Sequence, residues 1–301
     1  MGGDVLRRCL PCRGRRSWLP CLGTLLGTLL LGMLLIYISV PFLIRLFPSV
    51  LTKFVYLNFL AFPFFADFRR PELLVNNTIS LHLTTEPGVT VGIWHTVPGS
   101  RAAEARGQDR RWYEEALADA HPVIIYLHGN GGTSWQCCRA GAAAGVMAAP
   151  PHCHLPCHRI ATNAARKLQE ERGVQVDAVV LESPYTNIRE AAAHIPITKI
   201  YRQFPGFGYL ILDSLARADM FFQSDENVKV LACPLLILHA EDDGVVPPHL
   251  GRKLYETARS AYKDKTKVKF ITFPEKLGLG HDYISSNPEL PALVKDFLNM
   301  K

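Results

Sequence analysis

The chain has 301 residues, of which 48% are hydrophobic and 20% charged, and its formal net charge is +6. This length accommodates a short anchor and one domain with a real core, and the composition is typical of a globular domain with a membrane element. Five arginines lie within the first sixteen residues, and the rest has no basic stripe with interleaved aromatics. We therefore expect no nucleic-acid partner.

An uncharged run from Trp18 to Val40 is long enough to span a bilayer, which takes about 20 residues. The alternative is a cleaved signal peptide, whose apolar region is usually about 7–15 residues and ends in a small-residue cleavage site that this run lacks. Because the arginines precede the run, the positive-inside rule predicts a cytosolic N-terminus and a lumenal or extracellular domain. The predicted divisions are a basic tail (1–17), a transmembrane helix (18–40), a hydrophobic linker (41–77) and the main domain (78–301).

Residues 41–65 stay apolar but are interrupted by charges and prolines. Two interpretations remain open: a linker helix packed on the domain, or an in-plane segment that seats the domain on lipid. Asn76 begins a glycosylation sequon, which agrees with the topology derived from charge.

The main domain alternates predicted strands with predicted helices. Val123–Leu127 is an unbroken apolar run, as in a parallel strand buried on both faces. A hairpin precedes it, formed by 81–85 and 89–98, and a charged helix or loop fills 100–120. The later predicted strands are 176–182, 234–239 and 268–273, and the later predicted helices are 160–171, 250–261 and 290–298. This order predicts a parallel α/β sheet.

Residues 131–159 fit neither a strand nor a helix period, and we predict that they are disordered. This stretch contains four cysteines and three histidines: Cys137, Cys138, Cys153, Cys157, His152, His154 and His158. A zinc cluster is one interpretation, but the spacing matches no common finger. We favour free or randomly oxidised thiols and predict no metal site.

Polar groups follow three of the predicted strands. The first strand runs into His128-Gly129-Asn130-Gly131, a loop of the kind that supplies oxyanion N–H donors. Asp243 follows the strand 234–239, and His281 follows the strand 268–273. An acid and then a histidine at successive strand ends is the order used for nucleophilic acyl transfer, where the acid orients the imidazole and the imidazole takes a proton.

The nucleophile that this pair should serve is missing. A serine nucleophile needs Gly-X-Ser-X-Gly between a strand and a helix, and no such pentapeptide occurs in the chain. Ser134 has Gln136 where the second glycine belongs. Ser183 follows a strand, but Pro184 has no N–H to offer an oxyanion.

Several long motifs resemble the membrane-anchored α/β-hydrolases that act as lysophosphatidylserine and monoacylglycerol lipases. The matching runs are 126–130, 161–168, 181–190, 204–207, 225–229 and 234–243. The resemblance implies an α/β-hydrolase fold, a lipid substrate, no cofactor and residence in the endoplasmic reticulum membrane. It implies catalytic roles for Asp243 and His281 and an oxyanion N–H at Asn130. In the family, two strands, the helix between them and the serine elbow occupy the interval that is 131–159 here.

We therefore interpret the chain as a serine hydrolase by descent that lacks two central strands and the catalytic serine. Loss of those strands should expose the edges of the first strand of the parallel sheet. The alternative to an inactive enzyme is a non-catalytic membrane protein, either a binding pseudoenzyme or an unstable splice product. The sequence leaves the oligomeric state open.

Overall fold

The computed structural model describes residues 19–51, 70–87, 89–118, 123–127, 145–148, 157–194, 196–218 and 223–299. The first element is helix α1 (Leu19–Leu46). Its segment Gly23–Leu46 could cross a membrane by its length and composition. The helix passes through Pro41 and ends six residues beyond Val40. Proline removes one helical hydrogen bond, a loss that membrane helices tolerate.

An antiparallel sheet follows the anchor. β1 (Thr78–Glu86) pairs with β2 (Val89–Thr96), and Thr78 lies opposite Thr96 with their hydroxyls 2.8 Å apart. β2 also pairs with β3 (Gly145–Ala148). The predicted hairpin is therefore present. The prediction of disorder across 131–159 is wrong for β3, because β2 offers a sheet edge that organises four residues without any periodic pattern of their own.

Two short helices, α2 (Ala102–Ala105) and α3 (Arg110–Glu115), follow the hairpin. Asp109 caps α3 by accepting a hydrogen bond from the N–H of Trp112. Arg110 pairs with Glu114 one turn later. These local contacts explain why a strongly charged stretch is helical.

The parallel sheet consists, within the described ranges, of β4 (Val179–Glu182), β5 (Leu235–Ala240) and β6 (Val268–Phe273) in that order. β5 lies in the middle, and all six of its residues are buried. A central strand covered on both faces is expected to be apolar, and five of its six residues are; the exception is His239. The predicted strands at these three places are thus present, within three residues at each end.

Helices cover both faces of this sheet. The helices that follow β3 along the chain are α4 (Cys157–Arg172), α5 (Ile188–His194), α6 (Asp213–Arg217), α7 (Ser224–Val228), α8 (Pro248–Ala261) and α9 (Leu290–Leu298). Of these, α5 and α6 pack with Leu250 of α8 in a cluster of their own. Leu235 and Ile237 pack with α4, α7 and α8. Leu236 and Leu238 point the other way and pack with α9. A 3-10 turn (Pro196–Tyr201) and a π-helical turn (Gly208–Leu212) lie between α5 and α6.

Residues 123–127 depart from the sequence prediction. They form no strand of the parallel sheet, and the side chains of Val123, Ile124 and Ile125 are 49%, 43% and 65% exposed. The prediction of a strand buried on both faces is therefore wrong. An apolar run becomes a buried strand only when neighbouring strands and helices cover it, and periodicity does not report whether those neighbours exist.

Candidate active site

Asp243 is fixed by the turn that follows β5. Its Oδ1 accepts hydrogen bonds from the N–H groups of Val245 (2.9 Å) and Val246 (2.8 Å). The side chain is fully buried. The turn therefore holds one carboxylate oxygen and leaves Oδ2 for other partners.

His281 reaches that second oxygen from the loop after β6. Gly278 and Gly280 in this loop have φ of +61° and +51°, the left-handed region that glycine adopts without strain. The N–H of Gly280 donates to Asp242 Oδ2 (3.0 Å), and His281 Nδ1 lies 2.8 Å from Asp243 Oδ2. With Nδ1–H donating to the carboxylate, the neutral ring keeps its acceptor lone pair on Nε2, the nitrogen that would take a nucleophile's proton.

The two groups shift each other's pKa in the directions expected of a charged pair. Burial alone would raise the pKa of Asp243, but hydrogen bonds from His239 and His281 and the charge on His281 hold it well below its usual range. Burial alone would lower the pKa of His281, but the bond and attraction to Asp243 outweigh it and raise the pKa. The site favours an ionised carboxylate beside an imidazole that protonates readily.

A second histidine, which the sequence reasoning missed, lies under the same carboxylate. His239 belongs to β5 and is fully buried. Its Nε2 is 2.8 Å from the carbonyl oxygen of Val246 and 3.3 Å from Asp243 Oδ2. α8 approaches the ring so closely that a Cβ on Gly251 would lie 2.3 Å from Nδ1. A polar residue inside an otherwise apolar strand, four residues before the acid, was the available signal.

β4 ends at the same edge of the sheet with two unusual residues. Burial raises the pKa of Glu182 to about 7. Ser183 has φ of +45° and is 5% exposed, and its Oγ has no hydrogen-bond partner among the described residues. Ser183 is thus a strained, buried serine between a strand and helix α5, yet its neighbour Pro184 lacks the N–H that an oxyanion hole uses.

The structure brings Asp243 and His281 together but leaves other predicted site residues untested. Asn130, Ser134 and the side chains of the cysteine- and histidine-rich stretch 137–158 lie outside the described residues. Within the described ranges, no group of three or more His, Cys, Asp or Glu side chains is arranged to hold a metal ion. Cys233 is buried in the core.

A buried parallel sheet carrying an acid after one strand and a hydrogen-bonded histidine after the next defines the class of α/β-hydrolases. The comparison with known sequences then specifies the family. The chain is 39% identical to lysophosphatidylserine lipase ABHD12 of Gallus gallus, covering 91% of this chain and 84% of the relative. It is 37% identical to the Danio rerio lipase of that name (99% and 87% covered) and 38% identical to human Protein ABHD12B (85% and 82% covered). The chain therefore belongs to the ABHD12 family, and the resemblance drawn from its motifs is confirmed.

The alignment also shows a difference in length. It spans 322 residues with the Gallus gallus relative, more than the 301 residues of this chain. The relative therefore has residues that this chain lacks.

Among solved structures, an esterase of Pyrococcus furiosus, Pf2001, matches with a TM-score of 0.47 and 15% identity, covering 76% of this chain and 92% of the esterase. An esterase domain from Rhodothermus marinus matches with a TM-score of 0.44 and 12% identity, covering 73% and 99%. No protein-family model matches the chain.

Proposed function

We propose that this chain is a catalytically disabled lipase: a lysophospholipase or monoacylglycerol lipase by descent that keeps its acid and base and has lost its nucleophile. The observation that carries the proposal is the Asp243–His281 hydrogen bond of 2.8 Å in a chain without Gly-X-Ser-X-Gly. In the parental reaction, His281 would take the serine proton and pass it to the leaving glycerol oxygen, while Asp243 orients the ring.

Three observations support the loss of the elbow. The aligned relatives carry residues that this chain lacks. The described parallel sheet has three strands. Residues 123–125, which precede the proposed loss, are exposed where a buried strand was expected. Removing a triad serine can cost about a million-fold in turnover, so retained acid and base alone leave little catalysis.

The substrate class comes from the relatives, which carry the name lysophosphatidylserine lipase. We propose that any lipid bound by this chain is of that kind, a single-chain acyl ester of a glycerolipid presented at a membrane. The Asn130 N–H would contribute to the oxyanion hole of an intact parent.

A fluorophosphonate probe tests the proposal directly. The purified full-length chain should not be labelled at any serine, and it should not release fatty acid from lysophosphatidylserine, while the Gallus gallus relative treated alongside it does both. Covalent labelling at Ser183 that disappears in Ser183→Ala would overturn the proposal, because that serine would then be a working nucleophile in a new position.

If the chain is inactive, two fates can be told apart. A cooperative thermal transition and a protease-resistant core would indicate a pseudoenzyme that keeps a binding role. Rapid digestion throughout would indicate an unstable by-product.

We further propose a single-pass protein of the endoplasmic reticulum membrane with a cytosolic N-terminus and a lumenal domain. Helix α1 fits such an anchor, and Asn76 of the sequon is exposed. Endoglycosidase treatment should shift the electrophoretic mobility of the wild-type chain but not of Asn76→Gln. An unshifted wild type would contradict the topology.

A further inference from the structure

Helix α1 is attached to the domain by an aromatic cluster as well as by the chain itself. The ring of Tyr37 stacks on Tyr201 with centroids 4.9 Å apart and planes 6° from parallel. The Tyr37 hydroxyl donates to the carbonyl oxygen of Ile200 (3.0 Å), and Phe204 meets the Tyr37 ring edge-on. The turn around residue 200 therefore lies at the same height along α1 as Tyr37.

The contact continues along the helix. Phe42 also meets Phe204 edge-on, and the guanidinium of Arg45 lies 3.9 Å from the centre of the Tyr209 ring. From Tyr37 to Arg45 is a rise of about 12 Å at 1.5 Å per residue. Residues 200–209 thus follow more than two turns of α1 and have little freedom to move away from it.

The charges in this region decide where the bilayer lies. α1 has 28 residues, about 42 Å, which exceeds the hydrocarbon thickness of about 30 Å. If the last 20 residues of α1 crossed the bilayer, Tyr37 would lie deep in the hydrocarbon. The exposed Lys199 and Arg202, which are next to the residues that contact Tyr37, would then lie in the hydrocarbon as well. If the first 20 residues of α1 cross, Tyr37 lies at the boundary with the head groups, where tyrosine is favoured. The second placement puts Lys199 and Arg202 among the phosphates, with Arg45 about 12 Å farther along the helix on the domain's side.

Residues 199–209 have the composition of a membrane-contacting surface. Ile200 is 63% exposed and Tyr209 is 60% exposed. Lys199 and Arg202, on either side of Ile200 and Tyr201, are exposed as well. Long cationic side chains extend to phosphates while their stems and the neighbouring apolar groups contact acyl chains.

We propose that residues 199–209, called here the cap turn, form a second membrane contact in the head-group layer on the domain's side of the bilayer. Ile200 reaches the acyl chains, Tyr201 lies at the interface, and Lys199 and Arg202 bind the phosphates of anionic lipids. The inference uses α1 as the anchor and does not depend on catalysis. Its consequence is that the domain cannot turn freely on its tether, because α1 and the cap turn enter the membrane side by side.

The test uses the full-length chain in vesicles that contain a photoactivatable phosphatidylcholine, with and without phosphatidylserine. After illumination, mass spectrometry locates the lipid adducts. We expect adducts on α1 and on residues 199–209, and none on residues 263–267, which are exposed and precede β6 at the other edge of the sheet from β4. Adducts confined to residues 19–51 would overturn the proposal.

The second readout is the yield of lipid adducts in charge variants. The adduct yield on α1 serves as the internal standard. Lys199→Glu with Arg202→Glu should lower the yield on residues 203–209 at least about five-fold in vesicles with phosphatidylserine, since each cation near such a surface is worth about that factor. The matched control, Lys263→Glu with Lys265→Glu, should leave the yield unchanged. An equal loss in both variants would contradict specific lipid binding by the cap turn.

Discussion

At the scale of single residues, the Asp243–His281 pair makes stability depend on pH in a defined way. The raised pKa of His281 contributes stability that is complete below its unfolded value of about 6.5 and is lost as pH rises through the folded pKa. The lowered pKa of Asp243 contributes stability that is complete above its unfolded value near 3.8 and is lost at more acidic pH. Both contributions are therefore complete between about pH 4 and pH 6.5.

We accordingly predict that His281→Ala lowers the free energy of unfolding by about 1–3 kcal/mol at pH 5, and by less at pH 9. Thermal melts of wild type and variant across this range measure the difference. His281→Asn is the control, because its amide does not titrate and its difference from Ala should not vary with pH. A gap between wild type and His281→Ala that is constant or grows toward pH 9 would contradict the ion pair.

Ionisation of Glu182 should lower the stability of the fold, whereas ionisation of Asp243 raises it. Because its pKa is raised to about 7, ionising it in the folded state costs free energy, and stability falls as pH rises from about 4.5 to 7. We predict that Glu182→Gln stabilises the chain by about 1–3 kcal/mol at pH 8 and has little effect at pH 4.5.

Glu190→Gln is the matched control for this carboxyl. Burial alone would raise the pKa of Glu190, but hydrogen bonds with Lys253 and Thr186 outweigh it and lower the pKa. The same substitution should therefore destabilise the chain at pH 8. Equal responses of Glu182→Gln and Glu190→Gln in the melts would show that the two environments do not differ as described.

Sequence reasoning found Asp243 and His281 because both follow recognisable buried strands in the order that this chemistry uses. It did not find His239 or the burial of Glu182. The importance of His239 depends on how closely α8 packs at Gly251, and the pKa of Glu182 depends on what covers the end of β4. Both are properties of tertiary packing rather than of local pattern.

At the scale of elements, the most local patterns predicted best. The bounds of β6 and α9 agree with the sequence prediction at both ends. The predictions for residues 123–125 and for β3 were wrong in opposite directions. A buried strand was predicted at 123–125, where the residues are exposed, and disorder was predicted at β3, where a strand forms. Whether a strand forms depends on its neighbours as much as on its own residues.

The close approach of α8 to β5 gives a prediction at this scale. Gly→Ala within a helix usually stabilises by about 0.5–1 kcal/mol. At Gly251 the new Cβ would lie 2.3 Å from His239 Nδ1, so we predict a loss of about 1–3 kcal/mol in thermal or denaturant unfolding.

Gly208→Ala serves as the comparison, since the nearest described atom to a Cβ there is the end of the Arg189 side chain, at 4.0 Å. It should be neutral or slightly stabilising. If Gly251→Ala were also neutral, α8 would have to lie farther from β5 than the structure places it.

At the scale of the whole molecule, the proposed missing segment should be replaceable. We predict that exchanging residues 131–159 for the aligned segment of the Gallus gallus relative restores fluorophosphonate labelling and raises the melting temperature. The physical reason is that two added strands would cover the apolar residues 123–125 and supply the elbow between His281 and the oxyanion loop.

The control for this exchange carries the same segment with its elbow serine changed to alanine. It should show the higher melting temperature without labelling. If the exchanged chain gains neither stability nor labelling, the difference in length from the relatives lies elsewhere in the chain.

The exposed run Val123–Ile125 also bears on the life of the molecule in a cell. Three consecutive branched aliphatic side chains open to solvent are the kind of sequence that chaperones retain and that promotes aggregation when it is left free. We expect the abundance of this chain to be governed by clearance rather than by synthesis, with a half-life that lengthens when the proteasome is inhibited. Ile125→Lys would then reduce chaperone retention without restoring any chemistry, which separates the fate of the polypeptide from its lost activity.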